Sequence, residues 1–145
     1  RPYGNFIVDQ ENEMLYVYVM YSGKGTCWYK FHLPSITDGE YNSAYECNVV
    51  TLEKDDILDS WITPYQQYIQ GACCHNGLLY TTEGFRGNST TARPTMRVVD
   101  PVKKIEIATF DLYGDGIIYE PEFIDFYEGK LYYGTPGNIY LITLY

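Results

Sequence analysis

The chain has 145 residues and a formal net charge of −9. This length suffices for one domain with a sizeable hydrophobic core. An acidic chain repels phosphate backbones, so we expect no nucleic-acid partner. The longest apolar run, residues 14–21, is far shorter than the roughly 20 residues of a transmembrane helix, so we also expect no membrane span.

The composition favours strands over helices. Aromatic residues make up 17% of the chain, and 17 residues are Tyr, a type that packs well on pleated sheets. No window carries the sustained i, i+3, i+4, i+7 apolar pattern of an amphipathic helix. The nearest, residues 55–62, is short and runs into Pro64. We therefore predict an all-β fold.

Taken in chain order, the predicted strands form three groups. The first group has strands at 5–9, 14–21, 27–33 and 46–52. The second group has strands at 68–74, 78–83, 95–100 and 104–112. The third group has strands at 123–127, 130–133 and 138–145. Successive strands joined by short turns are typical of antiparallel meanders, so each group predicts one sheet.

The same hairpin recurs in all three groups. A Leu-Tyr pair follows the hairpin turn each time, at 15–16, 79–80 and 131–132. The turn before the second pair contains Asn76 and Gly77, a strong short-range hairpin signal. Four strands repeated about every 40–50 residues indicate the blades of a β-propeller.

We predict one propeller-like domain over residues 1–145, with four-stranded antiparallel blades at about 4–60, 61–112 and 113–145. The last blade is incomplete because it lacks its outer strand. Closed propellers have about 4–8 blades, so three cannot close a ring. Either the chain is part of a larger propeller, or two copies join as a homo-oligomer. Because the chain begins with Arg1 rather than Met, we favour the larger propeller.

One stretch of the second group resembles a known enzyme family. The resemblance to the plant and bacterial glutaminyl cyclotransferases rests on Tyr-Ile-Gln-Gly at 68–71, Asn-Gly-Leu-Leu-Tyr at 76–80, Glu-Gly-Phe-Arg-Gly at 83–87 and Met-Arg-Val-Val-Asp-Pro at 96–101. It spans residues 68–112, about a third of the chain. The sequence departs from the family at Ile69, where the family has Thr. The resemblance implies a five-bladed propeller with an active site at its central channel.

In a propeller, the first strand of each blade lines the channel, and the loops of one rim form the ligand surface. The channel candidates are Asp9, Gln70, Glu122 and Asp125. The rim candidates are Glu83, Arg86, Arg93 and Arg97. A cyclase needs a carboxylate that moves a proton from the substrate amine to the departing ammonia, and polar donors that hold the carbonyl. Catalytic candidates under this resemblance are Glu83 or Glu122 together with Gln70. The alternative is structural, with Gln70 bonding neighbouring blades and Glu83 a solvated loop residue.

The cysteines and histidines do not predict a metal site. No Cys-x-x-Cys pair occurs, and neither His has a partner at a ligand spacing, so we expect no metal and no cofactor. Cys73 and Cys74 point to opposite faces of one strand, which favours buried thiols. A disulfide between Cys27 and Cys47 remains open if the protein is exported.

Together these patterns predict a non-enzymatic binding or interaction module. We expect it outside the cytoplasm, as a secreted, periplasmic or cell-surface protein. Its ligand would be a small molecule, a glycan or a peptide, held by Asp9, Gln70, Arg86 and Asp125. The alternative is an enzyme similar to the glutaminyl cyclotransferases, which would form N-terminal pyroglutamate.

Overall fold

The computed structural model describes residues 3–35, 37–66, 68–85 and 92–143. These residues contain no α-helix and a single 3-10 turn at Lys54–Asp56. The strands in chain order are β1 (Tyr3–Asp9), β2 (Met14–Tyr21), β3 (Gly25–His32), β4 (Glu40–Asn42), β5 (Cys47–Val49), β6 (Asp59–Thr63), β7 (Ile69–His75), β8 (Leu78–Glu83), β9 (Thr95–Asp100), β10 (Ile105–Phe110), β11 (Phe123–Tyr127), β12 (Lys130–Thr135) and β13 (Asn138–Ile142). The predicted all-β fold is therefore confirmed.

The strands form antiparallel sheets of two to four strands. Sheet 1 has the order β1-β2-β3-β6, and sheet 2 has the order β7-β8-β9-β10. Sheet 3 has the order β11-β12-β13, and β4 pairs with β5 in a separate hairpin. In sheets 2 and 3 each strand pairs with its neighbour in the chain, as the meanders of the second and third groups predicted.

The fourth strand of sheet 1 differs from the prediction. The predicted strand 46–52 contributes only β5, which pairs with β4 and is exposed along its length. The place beside β3 belongs to β6, where Trp61 and Thr63 are buried while Ile62 between them is exposed. Burying a Trp side chain stabilises the sheet far more than pairing an exposed strand would. The expected blade boundary at residue 60 therefore falls inside β6.

Sheets 1, 2 and 3 stack in chain order, with their first strands side by side. β1 contacts β7, and β7 contacts β11. At the start of β7, Ile69 donates its backbone N–H to Met20 Sδ at 3.4 Å, and Met20 pairs with Tyr3 at the start of β1. Two residues further along β7, a Cβ on Gly71 would lie 2.7 Å from Phe123 Cα at the start of β11. β1, β7 and β11 therefore begin at one edge of the stack.

Two apolar cores hold the stack together. The core between sheets 1 and 2 contains the buried residues Ile7, Tyr16, Tyr18, Trp28, Trp61, Ile69, Leu79 and Val99. The core between sheets 2 and 3 contains the buried residues Cys73, Tyr80, Met96, Val98, Leu112, Ile117, Ile124, Leu131 and Tyr133. In the first core the rings of Trp28 and Trp61 stack at 5.9 Å with an interplanar angle of 7°. Sheet 2 is thus packed on both faces, which fixes the position of β7 between its neighbours.

Candidate ligand-binding rim

The edge at which β1, β7 and β11 begin is called here the Gln70 rim, and the edge at which they end is the Asp9 rim. β6 and β10 run antiparallel to β3 and β9, so they end at the Gln70 rim. The connections that lead from one sheet into the next therefore cross this rim. Connecting segments placed by a rigid sheet scaffold are where binding residues concentrate.

Gln70 owes its orientation to a β-bulge. Ile69 and Gly71 pair with successive residues of β8, so Gln70 has no residue of its own opposite it. A bulge turns a side chain away from the regular pleat. Gln70 Nε2 donates a hydrogen bond to Glu120 Oε1 at 2.6 Å, in the connection that leads to β11. The amide is therefore held in one orientation at the rim.

Beside Gln70 lies a cavity of about 470 Å³, called here the rim cavity. It is lined by Met20, Tyr65, Tyr68, Ile69 and Gln70. Tyr65 and Tyr68 are 39% and 42% exposed, and the Tyr68 ring packs on Phe85 with 4.2 Å between ring centroids. Cavities of a few hundred Å³ that combine apolar walls with a few fixed polar groups are typical of small-molecule sites.

The backbone of Tyr68 is strained. Its φ of 57° lies in the left-handed region, which costs a bulky residue about 1–2 kcal/mol. The carbonyl of Tyr68 accepts a hydrogen bond from the Gly84 N–H at 3.3 Å, which helps to hold this conformation. Residues kept in such conformations cluster at ligand and active sites. The strain therefore marks the same place as the cavity and the bulge.

Glu83 belongs to a partly buried ion-pair cluster. Arg97 Nε donates to Glu83 Oε1 at 2.8 Å, and Arg97 Nη1 donates to Glu106 Oε1 at 2.8 Å. Burial alone would lower the pKa of Arg97, but the two carboxylates raise it, so the guanidinium stays charged. The cluster borders a second cavity, of about 260 Å³. There Arg93 and Asp111 form a half-exposed ion pair at 2.6 Å.

The three residues that the cyclase resemblance would combine do not share one cavity. Gln70 lines the rim cavity, whereas Glu83 lines the smaller one. The side chain of Glu122 is exposed, and its backbone N–H donates to the carbonyl of Gly134 at 2.8 Å. Gln70 instead bonds to Glu120, so it links sheet 2 to the connection that enters sheet 3.

Two other predicted ligand-binding residues, Asp9 and Asp125, lie away from the rim cavity. Asp9 is buried at the opposite rim, where it accepts hydrogen bonds from the backbone and the side chain of Asn12 at 3.1 and 2.9 Å. Asp125 is exposed on β11 and accepts the Phe126 N–H at 2.8 Å. Arg86 lies outside the described residues. Asp9 and Gln70 therefore cannot hold the same small ligand.

The sequence prediction missed Tyr65, Tyr68, Phe85 and Glu120. Their shared signal is position, because each lies in a connection at the Gln70 rim, next to the first or second strand of a sheet. A sequence rich in Tyr hides this signal, since other tyrosines pack between the sheets or lie exposed elsewhere on the surface.

The described ranges contain no group of three or more His, Cys, Asp or Glu side chains arranged to hold a metal ion. No helix in them is long and apolar enough to cross a bilayer. All four cysteines are free thiols, including Cys27 on β3 and Cys47 on β5. The disulfide that the sequence left open is therefore not formed in this structure.

A scan against models of known protein families finds no match for this chain, and a search of curated proteins finds none either. The resemblance of residues 68–112 to the glutaminyl cyclotransferases therefore stays a prediction.

Proposed function

We propose that the chain forms three consecutive blades of a β-propeller that serves as a binding module, with the Gln70 rim as its ligand surface. The stacking of the sheets supports the propeller. β1, β7 and β11 lie side by side and start at one edge, as the inner strands of successive blades do. Sheets 1 and 2 share the same four-stranded antiparallel order.

The two ends of the stack support further blades. On sheet 1, the face turned away from sheet 2 carries Phe6, Val8 and Ile62, all of them exposed. On sheet 3, the face turned away from sheet 2 carries the exposed Ile139 and Leu141. Apolar sheet faces are normally covered by another layer. Further blades, from a longer chain or from a second copy, would cover both faces.

The rim cavity carries the proposal of binding. It joins two half-exposed tyrosines to an amide that Glu120 holds in place. A cyclase would also need a carboxylate beside Gln70 that is free to exchange a proton. The carboxylate of Glu83, which the resemblance would use, is instead held by Arg97 beside another cavity. The carboxylate that does lie beside Gln70, that of Glu120, accepts a hydrogen bond from the Gln70 amide. These contacts favour binding over cyclisation. A location outside the cytoplasm remains part of the proposal.

The test has a binding arm and a catalytic arm. A screen of sugars, peptides and nucleosides by thermal shift should find at least one class that raises the unfolding temperature of the wild type. Tyr68→Asn removes the ring while keeping a residue that tolerates positive φ, so this shift should vanish. Tyr45→Asn, at an exposed tyrosine in the β4–β5 hairpin loop, should leave the shift unchanged.

In the catalytic arm, the chain is incubated with a peptide that begins with Gln, and release of ammonia is followed. We expect none above the uncatalysed background. If the wild type released ammonia and Glu83→Gln did not, the chain would be a cyclase, and the proposal of a non-enzymatic binding module would be wrong. If every ligand shifted the unfolding temperature of the wild type and of Tyr68→Asn by the same amount, the rim cavity would not be the binding site.

A further inference from the structure

We propose that the rim cavity binds a neutral carbohydrate, an inference that rests on the proposed binding function and names its ligand class. Three features of the cavity carry the inference. These are the absence of charge among the described lining residues, the accessible tyrosine rings, and the fixed orientation of the Gln70 amide.

The lining selects against charged ligands. Among the described residues that line the cavity there is no Lys, Arg, His, Asp or Glu. The carboxylate beside it, Glu120, already accepts a hydrogen bond from Gln70 at 2.6 Å. An anionic ligand would also meet the net charge of −9. An anion would therefore lose its hydration here without gaining a partner of opposite charge. A cation would find no carboxylate among the described residues that line the cavity.

The tyrosines suit a ligand that has an apolar face. A sugar ring exposes C–H groups on one side, and these pack on an aromatic ring. Tyr65 and Tyr68 keep well over a third of their surface accessible, which is enough for such stacking. Phe85 packs against the Tyr68 ring at 4.2 Å and limits its movement. A ring that is already held loses less conformational entropy when the ligand binds.

Gln70 suits a ligand that also carries hydroxyl groups. Because one N–H of its amide donates to Glu120, its carbonyl oxygen and second N–H point in fixed directions. A sugar hydroxyl can donate to the carbonyl oxygen, and a neighbouring hydroxyl oxygen can accept from the N–H. Such paired contacts at fixed positions give specificity to a small ligand. A purely apolar ligand would cover the carbonyl oxygen and the second N–H of Gln70 without pairing them, which disfavours its binding.

Saturation-transfer NMR on the full chain tests the inference. The probes are glucose, galactose, mannose and N-acetylglucosamine with their common disaccharides. We expect at least one to receive saturation at its ring C–H protons. Its affinity should fall about tenfold or more in Tyr68→Asn and in Gln70→Ala, and should be unchanged in Tyr45→Asn. A neutral ligand also predicts the same affinity at low and high salt.

Circular dichroism establishes that each variant is folded, and Tyr65→Ala, in the connection between β6 and β7, replaces Tyr68→Asn if that variant unfolds. No transfer to any sugar, or equal transfer in the wild type and the ring variants, overturns the inference. Displacement of the sugar by tetramethylammonium at low salt would overturn it in favour of a cationic ligand. A peptide hit that depends on Tyr68, with no sugar binding, would refute the carbohydrate while leaving the binding module intact. If no class of ligand binds, both the carbohydrate inference and the proposed binding module are wrong.

Discussion

Cys73 and Cys74 are neighbours on β7, yet they belong to different cores. Cys73 is buried between sheets 2 and 3, and Cys74 packs against the core between sheets 1 and 2. Burial, followed by the charge of Asp125, raises the pKa of Cys73 from 9.0 to about 12. Burial, followed by Asp9, raises the pKa of Cys74 to about 12 as well. Since the thiolate is the reactive form, both cysteines act as small apolar side chains.

These shifts predict a loss of stability at alkaline pH. In the unfolded chain the thiol of Cys73 ionises near pH 9, whereas in the folded chain it stays protonated until about pH 12. Below pH 9 the thiol is protonated in both the folded and the unfolded chain, so its contribution to the free energy of unfolding does not change with pH. Between pH 9 and 12 the thiol ionises only in the unfolded chain, which stabilises that state. The free energy of unfolding therefore falls by up to about 1.4 kcal/mol per pH unit for one thiol.

Cys73→Ala removes this titration. The variant should be less stable than the wild type at pH 7, because a buried sulfur is lost. The difference in free energy of unfolding between wild type and variant should narrow as the pH rises from 9 to 11, because only the wild type loses the Cys73 contribution. Urea unfolding at each pH measures it. Cys47→Ala, at an exposed cysteine on β5, should follow the wild-type profile. A gap that stays constant from pH 7 to 11 would contradict the burial of the Cys73 thiol.

At the scale of elements, two side-chain contacts with Trp28 add to the backbone pairing that holds β6 in sheet 1. Trp28 Nε1 donates to Thr63 Oγ1 at 2.8 Å, and both residues are fully or almost fully buried. Trp61, which lies on β6 together with Thr63, stacks on Trp28. These contacts explain why β6, and not residues 46–52, occupies the edge of the sheet.

Thr63→Val should destabilise the chain by about 1–3 kcal/mol. Valine keeps the shape of threonine but leaves the indole N–H of Trp28 buried without a partner. Thr63→Ser keeps the hydroxyl, so it should lose less stability despite the missing methyl group. Urea unfolding followed by tryptophan fluorescence measures both variants. If Val and Ser cost the same, the hydrogen bond does not hold β6 in place.

The hairpins could be predicted because their signals are local. The Asn76-Gly77 turn and the alternation along β10 specify strands that are also neighbours in the chain. The edge strand of sheet 1 could not be predicted, since two segments compete for it and a distant contact with Trp28 decides between them. Gln70 was identified from its motif, but its partner was not. Glu120 comes within reach only because the β7 backbone at Gly71 approaches β11 closely, which depends on how two sheets pack.

At the scale of the whole molecule, the order of the sheets matters more than any one sheet. Sheet 2 is covered on both faces, whereas sheets 1 and 3 are each covered on one. Their outer faces carry large exposed apolar residues, among them Phe6, Val8, Ile139 and Leu141. Exposed apolar surface of this kind marks an interaction site or a tendency to aggregate. A stack of blades that continues at both ends would explain why both faces are apolar.

The chain on its own should therefore self-associate through these faces. Light scattering across a concentration series should give a wild-type mass above that of one chain. The double variant Ile139→Lys with Leu141→Lys should move the mass towards one chain, because two charges on the outer face of sheet 3 must be desolvated for it to pack. Its unfolding midpoint should hardly change, since both side chains are mostly exposed.

The matched control places two lysines at exposed apolar residues away from the end faces, as Val102→Lys with Tyr45→Lys. It adds the same charge, so any effect of net charge alone would appear equally in both double variants. We expect the control to associate like the wild type. A wild-type mass of one chain at every concentration, or equal dissociation in both variants, would show that the outer faces do not attract a further layer. The apolar residues at the ends of the stack would then be ordinary surface positions, and the case for further blades would rest on the repeat alone.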